Sequence, residues 1–339
     1  MPLWLTKEVF NLTRYIKISF IVLCYDNTRK EGIALYEWNE AVQKMIDWIE
    51  ANITDSPSLL EMSAQIGYSP YYCSVQFHKI CGMTIKNYVA GRRLALAAIE
   101  LRDTNERIID IAVKYGFSSQ EALTRAFRGL FGCTPAAYRR KPIPVPLPVY
   151  KVVFFPEHYK AMYKGEMTMN NTILTEANVR IEYIPAHKYI GIWDNDADCY
   201  HQFWQKHDCD EVCGIIDSLS NVSDPIVTGH TAGWYLNEKG ERRYFYGTGV
   251  MSNYDGVIPD GFELREILAS YYLVFYHPPF DFMKDNCEVM GRVENLAWNY
   301  DIEKECGGKY VWNEEACQCY QRHFPEGIGY EVLRPIKLK

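Results

Sequence analysis

The sequence predicts a multidomain chain. An all-α part built on a tandem helix-turn-helix is followed by an α+β part built on an antiparallel sheet. Three observations carry this prediction. A Gly-aromatic-Ser turn, followed by a helix ending in Phe, four residues and Gly-x-Thr, occurs twice. Four prolines alternate through KPIPVPLPVY (Lys141–Tyr150). Beyond them, helical periodicity gives way to short β-rich runs.

Bulk properties agree. A chain of 339 residues is long enough for two or three domains. No apolar run reaches the ~18 residues of a membrane span. The longest near-candidate, ISFIVLCY (Ile18–Tyr25), reads as a buried strand or as part of an N-terminal extension. Eleven cysteines, an odd number, point to reduced thiols in a cytoplasm. Charge is uneven. Residues 143–339 carry 18 Lys and Arg against 29 Asp and Glu, a net of −11, whereas residues 36–142 are net +2. A mildly basic part joined to an acidic part suggests two partners of different character.

Taken in order, residues 1–35 form an extension with no assigned role, and the helical part spans 36–140. Val42, Met45, Ile46 and Ile49 recur at helical spacing. Ser58 with Glu61 is a capping box opening LLEMSAQI. Gly67-Tyr68-Ser69 and Gly116-Phe117-Ser118 are the two turns, and Pro70 suits the first helical position. Glu121 stands at the third helical position after a Ser118 cap, a second capping box. Tyr68, Phe117, Phe77 and Phe127 are expected in the core. The two copies, Phe77…Gly82-Met83-Thr84 and Phe127…Gly132-Cys133-Thr134, define a repeat of about fifty residues, with one extra residue before the Phe of the second. Residues 141–150 are read as a stiff, extended linker. Residues 151–339 hold the runs VRIEYI, KYIGIW, GWYL, RYFYGTG, FELREI, YYLVFYH and GYEVL, with helical stretches near Tyr200–Leu219 and Phe282–Trp298.

The outer side of each second helix is where function would lie. Gln120, Glu121, Thr124, Arg125 and Arg128 are spaced as one exposed stripe. Gln reads adenine, and Arg reads guanine or holds phosphate. A plain solvated face is the alternative for one such helix; a tandem pair favours duplex DNA. These features resemble the DNA-binding domain of AraC-family transcription regulators. The resemblance covers Trp38 to Arg140 and rests on IGYSPYYCSVQFHKICG, YVAGRRLALAAIELR and IIDIAVKYGFSSQEALTRAFRGLFGCTPAAYRR in that order. It implies two helix-turn-helix units, joined by a long helix, entering successive major-groove segments. It also implies base-reading positions at Tyr71, Ser74 and Val75 in the first unit and at Gln120, Glu121 and Arg125 in the second, with Arg128 on the same stripe. Lys79, Arg92, Arg93, Arg139 and Arg140 are candidates for phosphate contact or for simple solvation.

The acidic part is similar to GyrI-like effector-binding domains from about Val179 to Ile336, with Tyr330-Glu331 on the closing strand as its best local signal. That resemblance implies a pseudo-twofold antiparallel sheet with a groove for a small amphipathic effector, a cation being one class. Glu331 would be its carboxylate, and Trp193, Trp234, Tyr272, Tyr276 and Trp298 its aromatic walls. Pairing of a surface Glu331 with Arg334 or Lys337 is the structural alternative. Some GyrI-like domains are hydrolases of small reactive molecules. No G-x-S-x-G, H-E-x-x-H or phosphate loop occurs in the chain. Cys209 and Cys213 near His201 and His207, and Cys317 and Cys319 near His323, lack paired zinc-site spacing. His277–Phe282 reads as a turn into a helix with Asp281 as a candidate cap. The expectation is therefore a cytoplasmic, non-enzymatic transcription regulator without cofactor or metal. Its expected partners are duplex DNA, a small effector and RNA polymerase; a hydrolase or a protein-recruitment module is the alternative.

Overall fold

Glycine and hydroxyl side chains cut the first half of the chain into helices. This computed structural model describes residues 19–20, 32–55, 58–152, 178–278, 280, 282–324 and 329–339. Helix α1 spans Gly32–Ala51. Ser58 caps α2 (Leu59–Ile66), accepting the Glu61 N–H at 3.1 Å and donating to the Glu61 carboxylate at 2.6 Å, the expected capping box. Gly67, at φ +85°, turns the chain into α3 (Pro70–Cys81), capped by Ser69. Thr84 caps α4 (Ile85–Asp103), the long connecting helix. The second copy repeats the scheme with α5 (Ile108–Lys114), the turn at Gly116, α6 (Gln120–Phe131) and α7 (Pro135–Arg140) capped by Thr134.

One expected cap moves. Ser119, not Ser118, accepts the N–H that opens α6, from Ala122 at 3.2 Å. The extra residue of the second copy therefore falls between turn and cap. From cap to core phenylalanine the copies match: Ser69 to Phe77 and Ser119 to Phe127 are each eight positions apart.

Each copy has its own core. Val42, Met45, Ile46, Met62, Cys73, Phe77 and Tyr88 fill the first; Leu94, Leu101, Ile111, Leu123, Phe127 and Tyr138 fill the second. Phe77 and Phe127 are fully buried, each contributing about 1.5–3 kcal/mol of transfer free energy. Tyr68, expected beside them, is 41% exposed, and Phe117 only packs against the rim of its core.

The strip 141–150 is extended, as its prolines dictate, but Val145, Leu147 and Val149 alternate into the helical unit and are buried there. Of the run Ile18–Tyr25, Ser19–Phe20 (β1) is described; it pairs in parallel with Lys151–Val152 (β2).

The sheet unit is antiparallel. Its strands are β3 (Asn178–Ile184), β4 (His187–Asp194), β5 (Thr231–Leu236), β6 (Arg242–Val250), β7 (Glu263–Ile267), β8 (Ser270–His277), β9 (Tyr310–Trp312), β10 (Cys319–Phe324) and β11 (Gly329–Leu338). The order is β3-β8-β11-β10-β5-β6-β4-β7, with β9 added on β11. Read outward from the central β10–β5 pair, the two halves run β10-β11-β8-β3 and β5-β6-β4-β7. Strand β3 lies at one end and β4 is second from the other, yet two residues join them; β7 and β8 are related in the same way. Chain length then forces the sheet to curl until its ends approach. Ile184 and Ile267, near those ends, share one buried cluster on the inner face with Tyr189, Trp193, Phe245, Tyr272, Tyr320 and Leu333. Gly191 and Gly247 leave room for the Tyr189 ring; a Cβ on either would lie 2.8 Å from its Cε1. Helices α8 (Tyr200–Trp204) and α10 (Phe282–Asn299) pack on the outer face, against Tyr244 and Tyr246 and against Tyr330 and Arg334; α11 (Ile302–Glu305) precedes β9.

The chain divides into two compact units. Among the described residues, the helical unit holds those up to 152 together with 208–221, and the sheet unit holds the rest. Helix α9 (Cys209–Ser218) is thus flanked by sheet-unit sequence but packed in the helical unit. Arg102 donates to the Ser218 carbonyl at 2.9 Å, Lys151 pairs with Asp210 at 2.8 Å, and the Val145 N–H donates to the Ser218 hydroxyl at 3.1 Å. Gly214 lies against the strip so closely that a Cβ would meet the Leu147 carbonyl oxygen at 2.3 Å.

Candidate functional site

Counted from their caps, Tyr71 matches Glu121, Ser74 matches Thr124, Val75 matches Arg125 and His78 matches Arg128. On α6, Gln120, Glu121, Arg125 and Arg128 are exposed along one side while Leu123, Phe127 and Phe131 are buried on the other. Hydrogen bonds from its own backbone N–H and from Ser119 hold the Glu121 carboxyl below its usual range, so it stays anionic at the helix N-terminus. It stands one turn before Arg125 and is placed to orient that guanidinium. Thr124 is half-buried and spends its hydroxyl on the Gln120 carbonyl at 2.8 Å.

Helix α3 presents a different surface. Tyr71 is 75% exposed, with Tyr72 and Val75 also exposed and Ser74 half-buried. His78 and Lys79 are exposed beyond them. His78, at the position of Arg128, was not singled out by sequence; the cap-to-Phe register is the signal that finds it.

The basic residues divide. Lys79 and Arg140 are exposed. Arg92 is 3% exposed, bonded to both Glu50 carboxylate oxygens at 2.7 and 2.9 Å and to the Pro148 carbonyl at 2.7 Å. It cannot touch phosphate, which corrects that candidate. Arg93 donates to the Ile53 carbonyl and Arg139 to the Leu101 carbonyl, so both serve the scaffold.

In the sheet unit, strand alternation sorts the expected walls. Trp193, Tyr272 and Tyr276 share the inner face with Glu331. Trp234 and Trp298 meet on the outer face with ring centroids 5.0 Å apart. The predicted set is therefore split. Glu331 is fully buried, and its partners are neither Arg334 nor Lys337. Arg180 reaches Oε1 at 2.6 Å and Arg322 reaches Oε2 at 3.4 Å. Glu182 closes the quartet, with Arg322 at 2.9 Å and Arg180 at 3.3 Å. Arg334 lies three residues from Glu331, hence on the opposite face, where it pairs with Glu314 and stacks on Trp312. Burial works against charge in the quartet. For Arg180 burial is the largest single influence, but the hydrogen bonds and charges of Glu331 and Glu182 together outweigh it and hold the guanidinium above the usual arginine range. For Glu182 burial is again the largest, but Arg322 and Arg180 together outweigh it and hold the carboxyl below its usual range.

Arg180 lies over the Tyr276 ring at 4.8 Å. The other half of the sheet repeats the motif: Arg265 lies over Trp193 at 4.1 Å and Tyr235 at 5.6 Å, paired with Glu263 at 2.7 Å. Deeper in, His187 Nε2 meets the Tyr320 hydroxyl at 2.7 Å, and burial lowers the His187 pKa, keeping the ring neutral. The Tyr272 hydroxyl and Trp193 Nε1 are buried without a hydrogen-bond partner among the described residues.

Cys209 and Cys213 do meet, with sulfurs 3.6 Å apart on α9, but His201 contacts Gln205 and His207 contacts Asp194. Among the described residues no group of three or more metal-ligating side chains is assembled, and no helix is long and apolar enough to cross a membrane. The His323 and Asp281 side chains lie outside the described residues.

A family model described as "Helix-turn-helix domain" matches residues 62–141. The chain is 40% identical over 99 residues to the Transposon Tn10 TetD protein of Escherichia coli, spanning 29% of this chain and 72% of that protein. It is 38% identical over 98 residues to the HTH-type transcriptional activator AarP of Providencia stuartii, spanning 29% and 73%. Among solved structures, a transcriptional regulator described with AraC-type DNA-binding domain-containing proteins, from Chromobacterium violaceum, is 26% identical. It covers 30% of this chain and 95% of that one, with a TM-score of 0.29.

Proposed function

The chain belongs to the AraC-type helix-turn-helix transcriptional regulators, and from that premise we propose that α3 and α6 read successive major-groove segments while the curled sheet binds a small effector. That the chain is a DNA-binding regulator follows from its family; the division of labour between helices is our own reading. The observation that carries it is the shared cap-to-Phe register, which presents Tyr71, Ser74 and Val75 on α3 as it presents Glu121, Thr124 and Arg125 on α6. Gln120, Arg125 and Arg128 make the polar contacts of the second half-site. Val75 meets thymine methyls in the first, and Lys79 and Arg140 hold phosphate.

The sheet unit supplies the sensor. Tyr272, Tyr276 and Trp193 form the effector-binding surface on the inner face, where Glu331 holds Arg180 and Arg322 in place; Trp234 and Trp298 support it from outside. The burial of Glu331 between two arginines speaks for a role in holding the inner face together rather than for hydrolysis. An effector regulates only through different affinity for two states of the chain, read out as DNA occupancy or contact with RNA polymerase.

The test is selection of a site from random duplex, followed by gel-shift titration. Arg125→Ala is expected to weaken the selected site by roughly ten- to a hundredfold and to relax preference at one base pair. Lys79→Ala is expected to weaken all sequences alike and to lower the salt slope by about 0.9. Unchanged affinity in Arg125→Ala would remove α6 from the reading.

A further inference from the structure

The charge balance of the inner face speaks to the class of effector. Four side chains, Arg180, Glu182, Arg322 and Glu331, form a closed quartet of two positive and two negative groups. A cation arriving at Glu331 must displace Arg180, exchanging one ion pair for another with no net gain. The aromatic faces a cation would use are also taken. Arg180 covers Tyr276; Trp193 has Arg265 on one side and stacks on Phe245 at 5.8 Å.

What remains unspent is hydrogen-bond donors. Among the described residues, the Tyr272 hydroxyl, on a side chain with no exposed surface, has no hydrogen-bond partner, and Trp193 Nε1 has none either. Burial pushes the Tyr272 phenol well above its ordinary range, so it stays protonated and able to donate. Tyr272 is the cross-strand neighbour of Glu182, beside the quartet, and Arg180 is 39% exposed with only one nitrogen engaged. Tyr272, Tyr320, Tyr189 and Trp193 follow one another at centroid spacings of 5.9, 6.2 and 5.5 Å. A buried donor left unpaired is costly, and a ligand acceptor would recover that cost.

We propose that the inner face takes an aromatic molecule bearing hydrogen-bond acceptors and no positive charge, held by Tyr272, Trp193 and the free edge of Arg180, and that the arginines stand where a cationic ligand would otherwise sit. This rests on the effector-binding reading above. Binding is noncovalent, and Glu331 acts by holding the arginines in place.

The experiment is calorimetric titration of the full chain with three matched probes: 2-naphthamide, 2-naphthoate and 2-naphthylmethyl-trimethylammonium. The amide and the carboxylate are expected to bind at least tenfold more tightly than the ammonium. Tyr272→Phe removes a hydroxyl that bonds nothing in the free protein, so the melting temperature should hold or rise while affinity for both acceptors falls roughly five- to tenfold. If the acceptors bind and Tyr272→Phe does not weaken them, the donor assignment is overturned. If the ammonium binds best and Glu331→Gln abolishes it, the proposed class is overturned but the effector reading stands. If no probe of any charge binds the folded chain, both fall.

Discussion

Glu50→Gln tests the burial of Arg92. The Arg92 side chain is 4% exposed and that of Glu50 is 12%. Two guanidinium–carboxylate bonds join them, a third Arg92 bond goes to the Pro148 carbonyl, and the Tyr88 hydroxyl donates to Glu50 at 2.8 Å. Glutamine keeps the shape but not the charge, and its amide turns two hydrogens toward groups that already donate. Arginine cannot shed its proton, so a buried charge is left uncompensated. Breaking such a pair from one side costs about 3–5 kcal/mol, two to nearly four powers of ten in the folding constant. Urea denaturation followed by far-ultraviolet circular dichroism reads this as an earlier loss of helix. The companion variant Glu50→Leu with Arg92→Met removes both charges and should recover most of the loss. A loss below about 1 kcal/mol, the scale of an exposed pair, would refute the reasoning and return Arg92 to the list of phosphate contacts.

Other consequences are as definite. Ser119→Ala removes the α6 cap and should cost about 1 kcal/mol, whereas Ser118→Ala should cost little; thermal melts distinguish the two serines. Glu294 accepts the Tyr330 hydroxyl at 2.7 Å, and burial, only partly offset by that bond, raises its carboxyl above the usual range. Its contribution is complete below the unfolded value of about 4.3 and is lost as pH rises through the raised folded value. Glu294→Gln should therefore raise the melting temperature at about pH 8 and change it little at about pH 4; the opposite ranking would contradict the sign. Gly214→Ala places a Cβ 2.3 Å from the Leu147 carbonyl oxygen, so α9 or the strip must move. Faster proteolysis between residues 208 and 221 is expected, and an unchanged digestion pattern would show that the contact gives way cheaply.

Local chemistry explains which features were legible. The turn glycines, the Ser58 box and the core phenylalanines are set by neighbours within one turn of helix, and the alternation of β3, β4, β6 and β8 is visible in single runs. Strand β10 was not: its polar Gln321 and Arg322 are satisfied inside the sheet, by the Tyr244 hydroxyl and by Glu182 and Glu331, so hydropathy conceals it. The Ser118 box was plausible because two serines stand in tandem, and only the backbone decides which one caps. Long-range pairs were out of reach. Arg92 meets Glu50 across 42 residues, and Arg180 meets Glu331 across 151. No local pattern encodes either pairing, yet these partners decide that Arg92 is structural and that Glu331 is already engaged.

The lodging of α9 has a consequence for biosynthesis. Arg102 and Ser218 are separated by 116 residues, so at ~5–20 residues per second the helical unit waits roughly 6–23 seconds on the ribosome for its last piece. Until then the surface that receives Val212, Gly214 and Ile216 is bare, and a chaperone would find it there. The same lodging constrains recombination: a fusion joint placed at the prolines divides a folding unit, and the transplanted half carries away a helix whose seat stays behind.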